Sequence, residues 1–218
     1  MKVAVIGVGH LGRIHARVYS QLPNVELFAV ADVSEEQGKK IAKQLNTQYL
    51  ADYKQLLDKV DAVSIATPTN FHYKIAKNFL EAGVHVLIEK PITNSVDEAR
   101  ELVDLAKEKK LKLQVGHSER CNPIIVALFK HKFTPLYIEA NRSSPFRFRS
   151  GDVNVILDLM IHDIDIINAL VKDDAKFIDA VRSGSDYDLH CDIREGFYST
   201  ALPLLANISY LLKRELEF

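Results

Sequence analysis

Apolar runs of strand length alternate with longer segments of helical period from Lys2 to about Gly116. Continuous short apolar runs are typical of strands that are buried on both faces of a parallel sheet. The runs predict five strands, at Lys2–Ile6, Glu26–Ala31, Ala62–Ala66, His85–Ile88 and Lys112–Val115. The intervening segments predict helices at Leu11–Gln21, Glu35–Leu45, His72–Ala82 and Val96–Lys109, with Ser34 and Ser95 as N-caps. This alternation predicts an α/β fold with a doubly wound parallel sheet of Rossmann type.

The pattern changes after Gly116. It predicts a helix at Pro123–Lys130, a strand at Leu136–Ala140, a loop at Arg142–Gly151 and helices at Val155–Val171 and Ile193–Lys213, the last capped by Asp192. We therefore expect two domains, a nucleotide-binding domain over residues 1–118 and a shortened α+β domain over residues 119–218.

Composition narrows the range of partners. The 28 basic and 29 acidic residues give a net charge of −1, so the chain lacks the basic surplus of nucleic-acid binders. No segment approaches the roughly 18 apolar residues of a membrane span, and the first residues enter a strand rather than a signal peptide. Cys121 and Cys191 lie far apart, which predicts neither a disulfide framework nor a thiolate metal site. A reducing cytoplasm fits these features best.

A glycine motif, Gly7-Val8-Gly9-His10-Leu11-Gly12, follows the first strand and opens the first helix. Such glycines permit a tight turn and let the backbone approach a pyrophosphate at the positive end of the helix. Asp32 ends the next strand, where it would accept hydrogen bonds from ribose hydroxyls and repel a 2′-phosphate. The motif therefore predicts NAD rather than NADP, the alternative being glycines with only a structural role.

A lysine, Lys90, follows the strand at His85–Ile88 within Glu89-Lys90-Pro91. The carboxyl ends of parallel strands present ligand-binding groups, so Lys90 is a candidate for chemistry. The alternative is a solvated lysine, with Pro91 only ending the strand.

Asp158 and His162 are four residues apart on a predicted helix and share one of its faces. A carboxylate beside a neutral imidazole fixes its tautomer and favours proton uptake from an alcohol near pH 7. Helix capping or an ordinary Asp–His pair are the alternatives. No set of His, Cys and carboxylate residues has a recognisable metal-ligand spacing, so we predict no metal.

Four motifs together resemble the ordered signatures of the Gfo/Idh/MocA oxidoreductases: the glycine motif followed by His15, then Ala66-Thr67-Pro68-Thr69-Asn70-Phe71-His72, then Glu89-Lys90-Pro91, and finally Asp158-x-x-x-His162-Asp163-x-Asp165. The resemblance extends to about Val171. It implies that Lys90, Asp158 and His162 form the catalytic set, with His162 as general base and Lys90 near both the reacting hydroxyl and the nicotinamide.

The resemblance also implies a cofactor site and a reaction. The cofactor site would comprise Gly7, Val8, Gly9, His10, Leu11, Gly12, Asp32, Ala66, Thr67, Pro68, Asn70, His72, Glu89 and Lys90. The implied reaction oxidises a hydroxyl of a sugar, inositol or nucleotide-sugar to a ketone, or the reverse, by hydride transfer with NAD. The protein then supplies position and charge around the cofactor.

The predicted substrate class depends on a group of arginines. Three of them stand within Arg142–Arg149, and guanidinium groups suit phosphate or carboxylate, although a solvated basic loop is the alternative. The segment Gly116–Pro123 resembles the one that enters the substrate pocket in family members that act on UDP-N-acetyl sugars. The substrate candidates are Lys90, Arg120, Asn122, Arg142, Arg149, Asp158 and His162.

The chain departs from the family in its second part. Only Leu136–Ala140 clearly represents the open antiparallel sheet that family members carry, while 175–184 and 192–213 resemble the segments that follow that sheet. In the family that sheet often forms an oligomer interface and a pocket wall, so we expect its shortening to affect turnover more than cofactor binding. The resemblance also allows a homo-oligomer. The alternatives are a non-catalytic dinucleotide-sensing regulator of the same fold and another class of NAD enzyme.

Overall fold

A computed structural model of the chain describes residues 1–131, 137–142 and 156–171. Contacts between residues divide the chain into two compact units. Of the described residues, the first unit contains 1–118 and 156–161, and the second contains 119–131, 137–142 and 162–171. The first unit therefore takes its residues from two separate stretches of the chain.

A six-stranded parallel sheet forms the centre of the first unit, in the order β3-β2-β1-β4-β5-β6. The strands are β1 (Lys2–Ile6), β2 (Glu26–Ala31), β3 (Gln48–Leu50), β4 (Ala62–Ile65), β5 (His85–Glu89) and β6 (Leu113–Gly116). The strand order reverses direction between β1 and β4, and ligands of open α/β sheets bind at such a switch point. The sequence-based prediction of a doubly wound parallel sheet is confirmed.

Helices connect the strands. They are α1 (Gly12–Gln21), α2 (Glu35–Leu45), α3 (His72–Glu81) and α4 (Val96–Glu108), with short 3-10 helices at Tyr53–Leu56, Thr69–Phe71 and Ser118–Cys121. The hydroxyl oxygens of Ser34 and Ser95 accept hydrogen bonds from the backbone N–H groups of Gln37 and Glu98. Both predicted N-caps are therefore confirmed, and each satisfies a donor that the helix itself leaves unpaired.

The core lies on both faces of the sheet. Successive residues of β1 point to opposite faces, so Ala4 and Ile6 join one buried cluster and Val5 joins the other. The larger cluster contains Phe79, which is fully buried. Burial of a side chain of this kind stabilises the fold by roughly 1.5–3 kcal/mol, so the core fixes the strand ends on which the site is built.

Some predicted elements need correction. The short strand β3 was missed, because three residues carry no readable period. Residues 137–140 have no regular structure, although a strand was predicted at Leu136–Ala140. A strand needs a paired neighbour, and none of the six described strands pairs with this segment. Leu136 itself lies outside the described residues.

The predicted helix at Val155–Val171 begins differently. It consists of a π-helical turn at Ile156–Met160 followed by α6 (Ile161–Val171), while α5 (Pro123–Lys130) has its predicted bounds. Val155, Arg149, Cys191, the Asp192 cap and the helix predicted at Ile193–Lys213 lie outside the described residues. Within the part that is described, no helix has the length and apolar character needed to cross a bilayer.

Candidate active site

The loop between β1 and α1 is a tight turn with one open side. Gly7 has φ +82°, and a Cβ atom there would lie 2.8 Å from the Ala66 carbonyl oxygen. A Cβ atom on Gly12 would overlap the Gly7 carbonyl oxygen, whereas no atom lies within 4 Å of the Cβ position of Gly9. The first and third glycines thus permit close packing, and the second leaves room for a ligand to approach the backbone.

Asp32 anchors this loop to the end of β2. Its Oδ2 accepts a hydrogen bond from the Val8 N–H at 2.7 Å, and its Oδ1 accepts one from the Ser34 N–H at 2.8 Å. The Gln37 side-chain amide donates to the Val8 carbonyl oxygen at 3.1 Å. Each carboxylate oxygen has two lone pairs, so Asp32 keeps acceptor capacity for a ribose while it holds the loop. The sequence predicted contact of Asp32 with a ribose, but it did not indicate that Asp32 holds the glycine loop.

His72 connects the loops that follow β4 and β5. Its side chain is buried, with Nδ1 2.9 Å from the Pro91 carbonyl oxygen and Nε2 2.8 Å from the Thr67 carbonyl oxygen. Both ring nitrogens are therefore occupied by the protein. His72 therefore supports these loops, and its contact with a cofactor stays a prediction.

The remaining predicted cofactor residues lie on or near the surface of these loops. His10, Leu11, Pro68 and Asn70 are exposed, and Ala66 is half-buried. The Thr67 hydroxyl oxygen is buried and has no hydrogen-bond partner in the described part of the chain. A buried hydroxyl without a partner is unfavourable, so a polar ligand group at this position would relieve that cost.

Lys90 joins the end of β5 to the π-helical turn, 68 residues further along the chain. Its ammonium donates to the Asp158 carbonyl oxygen at 2.7 Å and to the Asp158 Oδ1 at 2.8 Å. The Lys90 side chain is only 14% exposed. A helix carbonyl that also accepts from an inserted side chain distorts the hydrogen-bond ladder, which gives a physical reason for the π-helical turn here.

Glu89 lies beside Lys90 and is held by residues that sequence reasoning did not assign. Its Oε1 lies 3.1 Å from His15 Nε2, and His15 Nδ1 lies 2.7 Å from the Ser64 hydroxyl oxygen. Ser64 also hydrogen-bonds Tyr19, whose pKa is raised by burial and lowered in part by that bond. Two sequence signals were present: His15 follows the glycine motif, and Ser64 is a polar residue inside the apolar run of β4.

The second unit carries His162 on α6, with its Nδ1 buried. The same helix binds two arginines. Arg120 contacts both Asp165 oxygens at 2.5 and 2.6 Å, and Arg142 contacts both Asp163 oxygens at 2.9 Å. These hydrogen bonds raise the pKa of both guanidinium groups. Arg120 and Arg142, two of the predicted substrate arginines, therefore have carboxylate partners within the protein.

Of the two other residues predicted to bind only the substrate, the structure describes Asn122. Asn122 caps α5, because its Oδ1 accepts a hydrogen bond from the Ile124 N–H at 3.1 Å. Arg149 lies outside the described residues. Among residues 1–131, 137–142 and 156–171, no three His, Cys, Asp or Glu side chains cluster as metal ligands would.

The first unit fits a dinucleotide. Three observations support this: the open side of Gly9, the remaining lone pairs of Asp32, and the unpartnered Thr67 hydroxyl within the described residues. The profile of the Gfo/Idh/MocA group, described as an oxidoreductase family with an NAD-binding Rossmann fold, matches residues 1–117. The chain belongs to the Gfo/Idh/MocA oxidoreductase family. The resemblance inferred from the four motifs is confirmed.

Relatives within the family include UDP-N-acetylglucosamine 3-dehydrogenase from Acidithiobacillus ferrooxidans. It is 45% identical over 167 residues, which are 76% of this chain and 53% of the relative. A solved structure of UDP-N-acetylglucosamine 3-dehydrogenase GnnA from Acidithiobacillus ferrooxidans is 44% identical, with a TM-score of 0.74 over 79% of this chain and 57% of that one. The chain thus spans about half the length of the curated relatives it matches.

A second solved structure of similar fold contains a cofactor. GenD2 from gentamicin A biosynthesis, in complex with NAD, is 25% identical with a TM-score of 0.67. The match covers 78% of this chain and 53% of GenD2. The Gfo/Idh/MocA fold of this chain is therefore shared with an NAD-bound protein.

Proposed function

We propose that this chain is an NAD-dependent dehydrogenase that interconverts a hydroxyl and a ketone on a sugar, inositol or nucleotide-sugar. The observation that carries the proposal is the Lys90–Asp158 pair. It places a shielded ammonium at the carboxyl end of β5, on the same sheet edge as the glycine loop. Ligands of open α/β sheets bind along this edge.

The glycine loop, Asp32 and Thr67 would hold the dinucleotide, with Pro68, Asn70 and Glu89 along its other half. When bound there, NAD would supply the hydride acceptor for the carbon that carries the hydroxyl. Asp32 favours NAD over NADP, because its carboxylate would repel a 2′-phosphate and Val33 and Ser34 follow it in place of an arginine.

Lys90 would act on the hydroxyl oxygen. Two of the three N–H groups of the ammonium donate hydrogen bonds to Asp158, which leaves the third to donate to a substrate oxygen. The same positive charge stabilises the negative charge that develops on that oxygen as its proton leaves. Because Asp158 holds the ammonium by its carbonyl and its carboxylate, Lys90 needs little reorganisation before it acts.

His162 would take the hydroxyl proton. A histidine is the side chain whose ordinary pKa lies nearest to neutrality, so it can accept a proton and release it again in each turnover. Support for this role comes from its position in the Asp158-x-x-x-His162 motif.

A nucleotide-sugar is the favoured substrate class. The support is the similarity to a relative named UDP-N-acetylglucosamine 3-dehydrogenase and the arginines of the second unit. A bidentate pair with a carboxylate uses two of the five N–H donors of a guanidinium. Arg120 and Arg142 therefore keep donors for a phosphate while Asp165 and Asp163 orient them.

The test is a panel of sugars, inositols and nucleotide-sugars, assayed for NAD reduction with wild type and Lys90→Ala. We expect Lys90→Ala to lower the rate by about 10²–10⁴-fold and to leave NADH affinity unchanged. Lys77→Ala is the matched control, because Lys77 forms a comparable lysine–carboxylate pair with Glu101 on helices α3 and α4. Equal rates for wild type and Lys90→Ala would contradict the role of Lys90. Wild type that binds NADH and turns over no member of the panel would instead favour a dinucleotide-sensing protein.

A further inference from the structure

Three polar side chains form a hydrogen-bonded row from β4 through α1 to the end of β5. The row consists of Ser64, His15 and Glu89. Ser64 is fully buried, and the side chains of His15 and Glu89 are only 20% and 12% exposed. A buried polar row of this kind is unfavourable unless every member is paired, and here each member has a partner.

The direction of the hydrogen bonds can be assigned from the groups involved. An ionised Glu89 only accepts, so His15 Nε2 must donate to it. With His15 neutral, its Nδ1 accepts from the Ser64 hydroxyl, 2.7 Å away. The row therefore needs no second charge to be satisfied, and it leaves the negative charge of Glu89 uncancelled within the row.

Glu89 has a defined place on the sheet. It is the last residue of β5, and it lies over Gly116, where a Cβ atom would be 2.8 Å from Glu89 Oε1. The glycine loop lies at the end of β1 and Asp32 at the end of β2, so a dinucleotide that uses both must extend toward β4 and β5 with its other half. That half carries the nicotinamide.

We propose that His15 is a positioning residue that holds the Glu89 carboxylate at this edge, where its charge favours the oxidised nicotinamide over the reduced one. The proposal rests on the proposed function and adds a preference between two states of the cofactor. The oxidised ring carries a positive charge and the reduced ring is neutral. The variants that test this keep Lys90 and its pair with Asp158, so a change in the preference between the two cofactor states reports on Glu89.

The experiment measures the dissociation constants of NAD⁺ and NADH for the full chain by calorimetry, without any substrate. The quantity of interest is Kd(NADH)/Kd(NAD⁺). We expect this ratio to fall about fivefold in Glu89→Gln, the effect of one partly screened charge at close range. Glu101→Gln is the matched control, since it removes the same charge from a lysine pair between α3 and α4 and should leave the ratio unchanged.

Two substitutions at His15 separate positioning from charge. His15→Phe keeps the ring and removes both hydrogen bonds, so the ratio should fall toward the value for Glu89→Gln. His15→Gln keeps an N–H donor near the place of Nε2, so it should restore the wild-type ratio. His15→Asn is too short to reach Glu89 and repeats the His15→Phe test if the phenylalanine variant does not fold.

An unchanged ratio in Glu89→Gln, or wild-type ratios in both His15→Phe and His15→Asn, would overturn the inference while NAD binding stands. Wild type that binds neither cofactor would overturn the proposed function, and this inference with it. Thermal melting of each variant identifies those that fold.

Discussion

Different interactions stabilise each of the two units internally. In the described part of the chain, every buried hydrophobic residue except Ile166 belongs to the first unit. The glycine loop of that unit is fixed by hydrogen bonds between the Val8 backbone and the side chains of Asp32 and Gln37. In the second unit, two arginine–aspartate pairs join distant segments, and the arginine side chains are 49% and 30% exposed.

This difference separates, in physical terms, the residues proposed for the cofactor from those proposed for the substrate. Apolar burial and backbone hydrogen bonds are little affected by salt, whereas exposed ion pairs are screened by it. We therefore expect the cofactor residues to keep their geometry over a wide range of conditions, while the arginines proposed for the substrate respond to ionic strength.

The largest effect is expected from the core. Phe79→Ala should lower the free energy of unfolding by about 3–5 kcal/mol, because it leaves a cavity beneath the sheet. Urea unfolding measures this loss. Ile124→Ala is the control, since Ile124 is 76% exposed on α5 and its truncation should cost no more than about 0.5 kcal/mol. Similar losses for the two variants would remove the proposed contrast between the units.

A smaller effect is expected at the anchor of the glycine loop. Asp32→Asn replaces one accepting oxygen by a donor, so either Val8 or Ser34 loses the acceptor for its backbone N–H. The free energy of unfolding should fall by about 1–3 kcal/mol, and the preference for NAD over NADP should weaken. Urea unfolding and titrations with both cofactors test this. Asp58→Asn, at an exposed position, should change neither quantity.

The smallest effect is expected in the second unit. Arg120→Gln should cost about 1 kcal/mol or less, because the pair with Asp165 is partly exposed. Hydrogen exchange of α6 should quicken in this variant, and in wild type when the salt concentration is raised to 1 M. Arg100→Gln, which removes an exposed pair on α4, should leave α6 exchange unchanged. Exchange that is insensitive to salt in wild type would show that the ion pairs do not hold α6.

Local signals explain why so much of the fold could be predicted. The strands β1 and β2 and the helix α2 have their predicted bounds, because apolar runs and a serine cap lie within a few neighbouring residues. The contact between Lys90 and Asp158 could be expected only from the family resemblance, since no local pattern relates residues 68 positions apart. The carboxylate partners of Arg120 and Arg142 were missed for the same reason.

The hydrogen-bond partners of His15 could not be predicted from its position in the sequence. The sequence placed it directly after the glycine motif, but nothing in the spacing indicated which way its ring points or that Ser64 and Glu89 flank it. Such partners depend on how α1 packs across β4 and β5, which is a property of the folded sheet. Residues that act through another residue are therefore the hardest part of a site to identify from one sequence.

The first unit contains residues 156–161 as well as 1–118, and this has a consequence for protein engineering. A fragment that ends at residue 118 would retain every strand of the sheet and the glycine loop, yet its Lys90 would have lost Asp158. Transplanting the nucleotide-binding half onto another scaffold thus requires the short π-helical turn to be supplied as a second piece.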